Sequence, residues 1–259
     1  MTGKSSTSLP SGSALLVGIP SHLLDDDPLS ASLRRMGLSP GHPQDVAYDG
    51  VAAREWAIGF AECPMRVTRI VPTGAMAAAL SGRYPGLGNR DFAPPEERAV
   101  ILSWHEAALR MPDGDLETIL TTLALLSAFL FPRLIQWCPA GLWSEAPEIT
   151  RGIEKYLGGA PLPVLHLVGF ERASGGGEAR LATRGLGVFT GQELSADATQ
   201  LGAAETVRRL ARLVLDMIEN GPVLRSMTID GLLPGETIVL SPKPRADGDD
   251  LVDIAIDPA

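Results

Sequence analysis

The apolar residues of this chain come in short runs, and most runs stop at a proline or a glycine. Ala14 to Ile19 ends at Pro20, the segment to Met36 at Gly37, Leu116 to Phe131 at Pro132, Leu134 to Trp137 at Cys138-Pro139, and the segment to Leu157 at Gly158-Gly159. Proline lacks the amide proton that continues a helix or ladder, and glycine accepts the left-handed backbone of a helix end. The chain must therefore alternate short elements. Its longest apolar run, residues 116–131, is interrupted by Glu117, Thr118, Thr121, Thr122 and Ser127. It is shorter than the ~20 apolar residues a membrane span needs. A buried helix is expected there, with no membrane association and a cytoplasmic location.

Reading between these stops gives an order of elements. Residues 14–19 read as a buried strand, and Asp25-Asp26-Asp27-Pro28 opens a helix to about Met36. Residues 39–49 read as a loop. Trp56, Ile58 and Phe60 alternate, and with residues 65–71 they predict a hairpin. A short Ala-rich helix over 74–80, a long loop over 81–95 and a strand over 99–104 follow. Asp113 to Asp115 caps the helix of 116–131. A strand over 134–137 and a helix over 147–157 come next, then strands over 164–170 and 179–189 around Ser174 to Gly177. Residues 202–220 form the clearest amphipathic helix, with Val207, Leu210, Ala211, Val214, Leu215 and Ile218 on one face and Arg208, Arg209 and Arg212 off it. Strands over 237–240 and 251–256 complete the pattern.

Residues 14–105 and 134–240 share the order strand, helix, strand, strand, helix, strand. This predicts an α+β fold of two packed ferredoxin-like (split βαβ) units, with mixed or antiparallel sheets and helices on one face. The expected division is a disordered lead over 1–13, one unit over 14–112 and a second over 113–259, packed as one globule. Residues 1–13 have no apolar core, so they do not read as a signal peptide.

Composition narrows function. The net charge is −9 and no dense basic run occurs, which argues against nucleic acid as a partner. The two cysteines, Cys63 and Cys138, lack metal or disulfide-framework spacing. There is no HExxH, no GxGxxG and no P-loop pattern. Neither a cofactor nor a metal is expected.

One segment carries a resemblance. Thr183-Arg184-Gly185-Leu186, Phe189, Gly191 and Glu193-Leu194, the helix from Gly202 to Gly221, Asp230-Gly231 and Gly235-Glu236-Thr237-Ile238 resemble the bacterial domain-of-unknown-function 4261 (DUF4261) family. Upstream, Ile70-Val71-Pro72, Trp104-His105-Glu106 and Gln136-Trp137 follow in the family's order. The likeness covers about 60 residues well and about 200 by order of elements, with Thr190 intruding in the Phe-Gly step and Ser174 to Gly177 replacing a plainer turn. The resemblance implies a fold and a bacterial origin, and no reaction.

Candidate residues follow from chemistry. Arg184 and Glu193 flank a Gly-rich bend and could converge as a carboxylate- or phosphate-binding pair, or as a structural ion pair. His105 and Glu106 follow a buried strand, where a histidine can act as general base. Cys138 could pair with His105 if their strands are neighbours. Ser144 lacks the GxSxG elbow. Trp137 and Trp143 flank Gly141 as either a recognition patch or core cover. The expectation is a non-enzymatic protein-binding module with an unidentified protein partner, using Trp137, Trp143, Arg184 and Glu193. An immunity or adaptor role beside a toxin or secretion system is one form of it. The alternative is a small-molecule enzyme or sensor with a pocket near His105, Trp137, Arg184 and Glu193.

Overall fold

A computed structural model describes residues 12–48, 51–60, 63–71, 82–83, 91–92, 98–105, 108–109, 115–172, 179–246 and 248–258. The helix expected over 74–80, most of the loop over 81–95, Asp113, Glu106, the turn at Ser174 to Gly177 and residues 1–11 of the lead lie outside them. The chain is α+β, with two sheets and six α-helices among the described residues. No helix among them is long and apolar enough to cross a membrane.

The chain divides between His166 and Leu167 into two compact units. The first holds strands β1 (Ser13–Val17), β2 (Ser39–Pro40), β3 (Gln44–Tyr48), β4 (Val51–Phe60), β5 (Cys63–Ile70), β6 (Gly82–Arg83), β7 (Asp91–Phe92), β8 (Ala99–Trp104), β9 (Leu134–Trp137) and β10 (Leu142–Glu145). They form one sheet in the order β2-β4-β5-β8-β1-β9-β10-β6-β7, with β3 paired to β4. The central strands β1, β8 and β9 are buried at every residue, as their largely apolar sequences favour. Helices α1 (Asp26–Arg35), α2 (Leu116–Leu130) and α3 (Ala146–Leu157) belong to this unit, and α4 (Val164–Leu167) ends at its boundary. The acids at the start of α1 do more than complement its dipole. Asp26 takes Arg54 of β4 at 2.9 Å and Arg69 of β5 at 2.6 Å, tying helix to sheet.

The second unit holds β11 (Gly169–Arg172), β12 (Arg180–Arg184), β13 (Gln192–Asp197), β14 (Met227–Asp230), β15 (Thr237–Lys243) and β16 (Asp250–Asp257), with helices α5 (Gly187–Thr190) and α6 (Gly202–Asn220). Its sheet runs β11-β12-β13-β16-β15-β14. Among its described strands only the β13–β16 pair is parallel. Helix α6 carries the chain from β13 to β14, and Leu210, Leu213, Val214 and Met217 are its buried apolar stripe.

Several expectations change. The unit boundary falls at 166/167 and not at 112/113, because β9 and β10 join the first sheet beside β1. The ferredoxin-like pattern does not emerge in the first unit. A split βαβ needs its first two strands parallel, whereas β1 and β4 run in opposite directions with β8 and β5 between them. Residues 39–48, expected as loop, pair with β4 as a mostly exposed edge, which tolerates their polar composition. Residues 164–170 are the single turn α4 followed by β11. The strand expected over 179–189 stops at Arg184, where Gly185 (φ 90°) turns the chain into α5.

Candidate functional site

β14 is the edge strand of the second sheet. Among the described strands it pairs with β15 alone, so alternate backbone N–H and C=O groups face outward on the other side. Eight large hydrophobic side chains stand strongly exposed among the described residues, and four of them, Leu224, Met227, Leu232 and Leu233, fall on or beside this strand. Leu224 is 86% exposed and Leu233 56%. Single exposed leucines are ordinary, but a concentration on a bare edge is the pattern of a contact surface.

Both ends of this segment are fixed by buried polar side chains. At the start, Gln192 of β13 makes a reciprocal pair with the backbone of Val223. Its Nε2 donates to the Val223 carbonyl at 3.0 Å, and Val223 N–H donates to its Oε1 at 2.8 Å. At the end, Arg209 of α6 meets Glu236 in a fully buried two-point ion pair, Nε to Oε1 at 2.9 Å and Nη2 to Oε2 at 2.5 Å. Glu236 Oε1 also accepts the Leu232 amide at 3.0 Å, and Arg212 donates to the Gly231 carbonyl at 2.8 Å. A side chain at Gly231 would run into the Glu236 carboxylate, so that position requires glycine. The guanidinium holds the Glu236 carboxyl below its ordinary pKa against the opposing effect of burial. Arg209, expected off the buried face, is thus its charged member, at 1% exposure. The result is a segment fixed by hydrogen bonds at both ends, which lowers the ordering cost of docking.

The other residues singled out from sequence serve the fold. Trp137 and Trp143 are fully buried, so the recognition patch expected at Gly141 does not exist as a surface. Trp137 stacks on Trp104 with ring centroids 5.1 Å apart. Trp143 packs in the cluster of Leu15, Ile101 and Leu134. Glu193 does not pair with Arg184, which is exposed. The β12–β13 ladder stops at Ala182–Ser195, and there Thr183 Oγ1 accepts the Leu194 amide at 2.7 Å and donates to Glu193 at 2.6 Å. Glu193 also accepts the Gly185 and Gly187 amides at 2.7 and 3.0 Å, stapling the turn into α5. Burial pushes its pKa up despite these donors, and Asp249 adds to the rise.

His105 borders an open depression of about 290 Å³ lined also by Tyr48, Pro64, Arg66, Ser103 and Trp104. Glu106 lies outside the described residues. Cys138 is not on a strand neighbouring that of His105, since β1 separates β8 from β9. Burial pushes its thiol up to about 12, which leaves it protonated and unreactive at neutral pH. His105 and Trp137 belong to the first unit, Arg184 and Glu193 to the second. One contact escaped the sequence reading. Ser144 Oγ lies 2.8 Å from His166 Nδ1. Burial lowers the His166 pKa, with Glu148 opposing. The Ser144 hydroxyl is itself buried, so the pair links β10 to α4 rather than offering a nucleophile to substrate.

No protein-family model matches the sequence, and neither the curated proteins nor the solved structures give a match.

Proposed function

We propose that this protein is a non-enzymatic protein-binding module whose contact element is the β14 edge. An extended segment of a protein partner adds to β14 as a further strand, through the outward-facing backbone groups, and its apolar side chains cover Leu224, Met227, Leu232 and Leu233. The concentration of four exposed large hydrophobics, Met227 on the edge strand and Leu224, Leu232 and Leu233 in its flanks, carries this reading. It replaces the tryptophans, which are core, as the apolar contact. The acidic composition of the chain suits a protein partner better than nucleic acid.

The test is affinity capture of the full chain from the cells that produce it, in parallel with Met227→Lys. Lysine at an edge is a standard means of blocking strand addition. A near-stoichiometric protein partner that disappears in the variant is the expected result. A partner that binds both proteins equally would remove the edge from the reading.

A second reading, a small-molecule site in the first unit, is favoured by the depression at His105 with Arg66 and Tyr48 in its lining. Metabolite-induced thermal stabilisation that His105→Ala and Arg66→Ala both abolish would support it. No stabilisation by any metabolite would remove it.

A further inference from the structure

The apolar positions around β14 are spaced the same way in both chain directions. About Thr228, Met227 mirrors Ile229, Ser226 mirrors Asp230, and Leu224 mirrors Leu232. Mirror symmetry of apolar positions is what a strand needs in order to pair antiparallel with its own copy. We infer that the strand added to β14 is β14 of a second copy of this chain, paired antiparallel with Thr228 on the twofold axis. This rests on the docking reading of the β14 edge.

The register follows from geometry. A twofold axis perpendicular to a continuous sheet keeps each strand's faces aligned, so paired residues must differ by an even number of positions. Three registers are central enough to use the strand. With Thr228 on the axis, Met227 lies opposite Ile229 of the second copy and Ser226 opposite Asp230, with Leu224 beside Leu232 just past the ladder. Arg225 then falls opposite Gly231, so no like charges are opposed. With Met227 on the axis, Leu224 would face Asp230 and Arg225 would face Ile229. With Ile229 on the axis, Met227 would face only Gly231 and Arg225 would face Leu233. Only the Thr228 register matches apolar with apolar throughout. It also joins two six-stranded sheets edge to edge, which removes the bare edge from both copies. The clamps at Val223 and Glu236 hold the segment in shape before contact.

Light scattering and sedimentation over a concentration series of the purified full chain test the assignment, together with Thr228→Cys, Ser226→Cys and Met227→Lys. Residues directly opposite in an antiparallel pair have Cα atoms about 4.5–5.5 Å apart, within the about 4.4–6.8 Å that a disulfide spans. The expected results are a wild-type dimer, a Thr228→Cys dimer that crosslinks under mild oxidation, and a Ser226→Cys protein that does not. Met227→Lys should weaken the dimer by about tenfold or more, with an unchanged circular dichroism spectrum. A wild type that is monomeric at every concentration overturns the inference, as does a dimer that Met227→Lys leaves intact. Crosslinking of the Ser226→Cys protein in place of the Thr228→Cys protein overturns the register and the inference with it. A monomeric wild type whose captured partner is still lost on Met227→Lys sinks the second-copy assignment alone. Loss of neither property on Met227→Lys sinks the docking reading too.

Discussion

Glu193 and Glu236 each bury a carboxylate against a turn of the second sheet, and each accepts backbone amides there. Glu236 is the more deeply buried, and the charges around the two differ. Glu236 meets the Arg209 guanidinium, whereas Glu193 meets only a hydroxyl and two amides, with a second acid, Asp249, nearby. The outcome is opposite. The fixed positive charge holds Glu236 below its ordinary pKa, and burial carries Glu193 above it. Burial therefore does not determine how a carboxylate behaves. What matters is whether the groups that replace water include a charge.

That contrast can be broken most forcefully at Glu236. Glu236→Gln removes the fully buried partner of Arg209 and leaves its guanidinium only the more exposed partner Glu205, 2.8 Å away, so the expected cost is at most about 3–5 kcal/mol. Hydrogen exchange should show it as lost protection across β14 and β15, with a lower urea midpoint for the second unit. Replacing both partners together, Arg209→Met with Glu236→Leu, should recover most of that loss, because no uncompensated charge remains. A single change that costs under about 1 kcal/mol would show that the pair does not hold the turn. Next in size is Gly231→Ala, which forces a methyl group into the Glu236 carboxylate and should cost about 1–3 kcal/mol by the same readout.

The two acids should also titrate the fold in opposite directions. Glu236 has a folded pKa below its ordinary 4.5, so its stabilisation is complete above 4.5 and is lost as pH falls through the folded value. Glu193 has a folded pKa above 4.5, so ionising it costs stability as pH rises from 4.5 through the folded value. Glu193→Gln should flatten the second dependence and leave the first. At low pH, where Glu193 is already protonated, the substitution should change stability by no more than about 1 kcal/mol. An unchanged stability–pH profile would mean that another group titrates there. The smallest expected effect is that of Met227→Lys on stability, within about 0.5 kcal/mol, since that side chain is half exposed. Unfolding by that change would disqualify it as a probe of docking.

Much of the fold was legible from pattern. The β4–β5 hairpin, α1, α2, α3 and α6 all fall where periodicity, acids and glycines place them. What escaped depends on contacts made after the chain has folded. Residues 44–48 are too polar to read as a strand and become one only by pairing with β4. Residues 164–170 have strand composition, yet the turn after Pro163 takes the first half into α4. Arg209 was readable in principle. It lies at helical spacing from buried Thr206 and Leu213, and only its charge argued for the surface. Trp137 and Trp143 misled in the opposite way, because an aromatic beside a turn looks the same in sequence whether it covers a core or a partner. The β14 edge gave no strong signal, since exposure is a property of sheet order and sheet order is not local.

The position of β16 has a consequence for how the second unit is assembled. It follows β15 in the chain yet lies in the interior of the sheet, between β13 and β15. Before it arrives, the β14–β15 hairpin has no ladder to the rest of the sheet, and β13 is paired only with β12. Closure of this unit needs the non-local pairing of β13 with β16, the kind of contact that slows folding. While it is pending, β13 and β15 present bare edges that the finished sheet hides, the circumstance in which newly made chains stick to one another. A lesion in residues 250–257 is therefore expected to leave those edges unpaired and to favour aggregation.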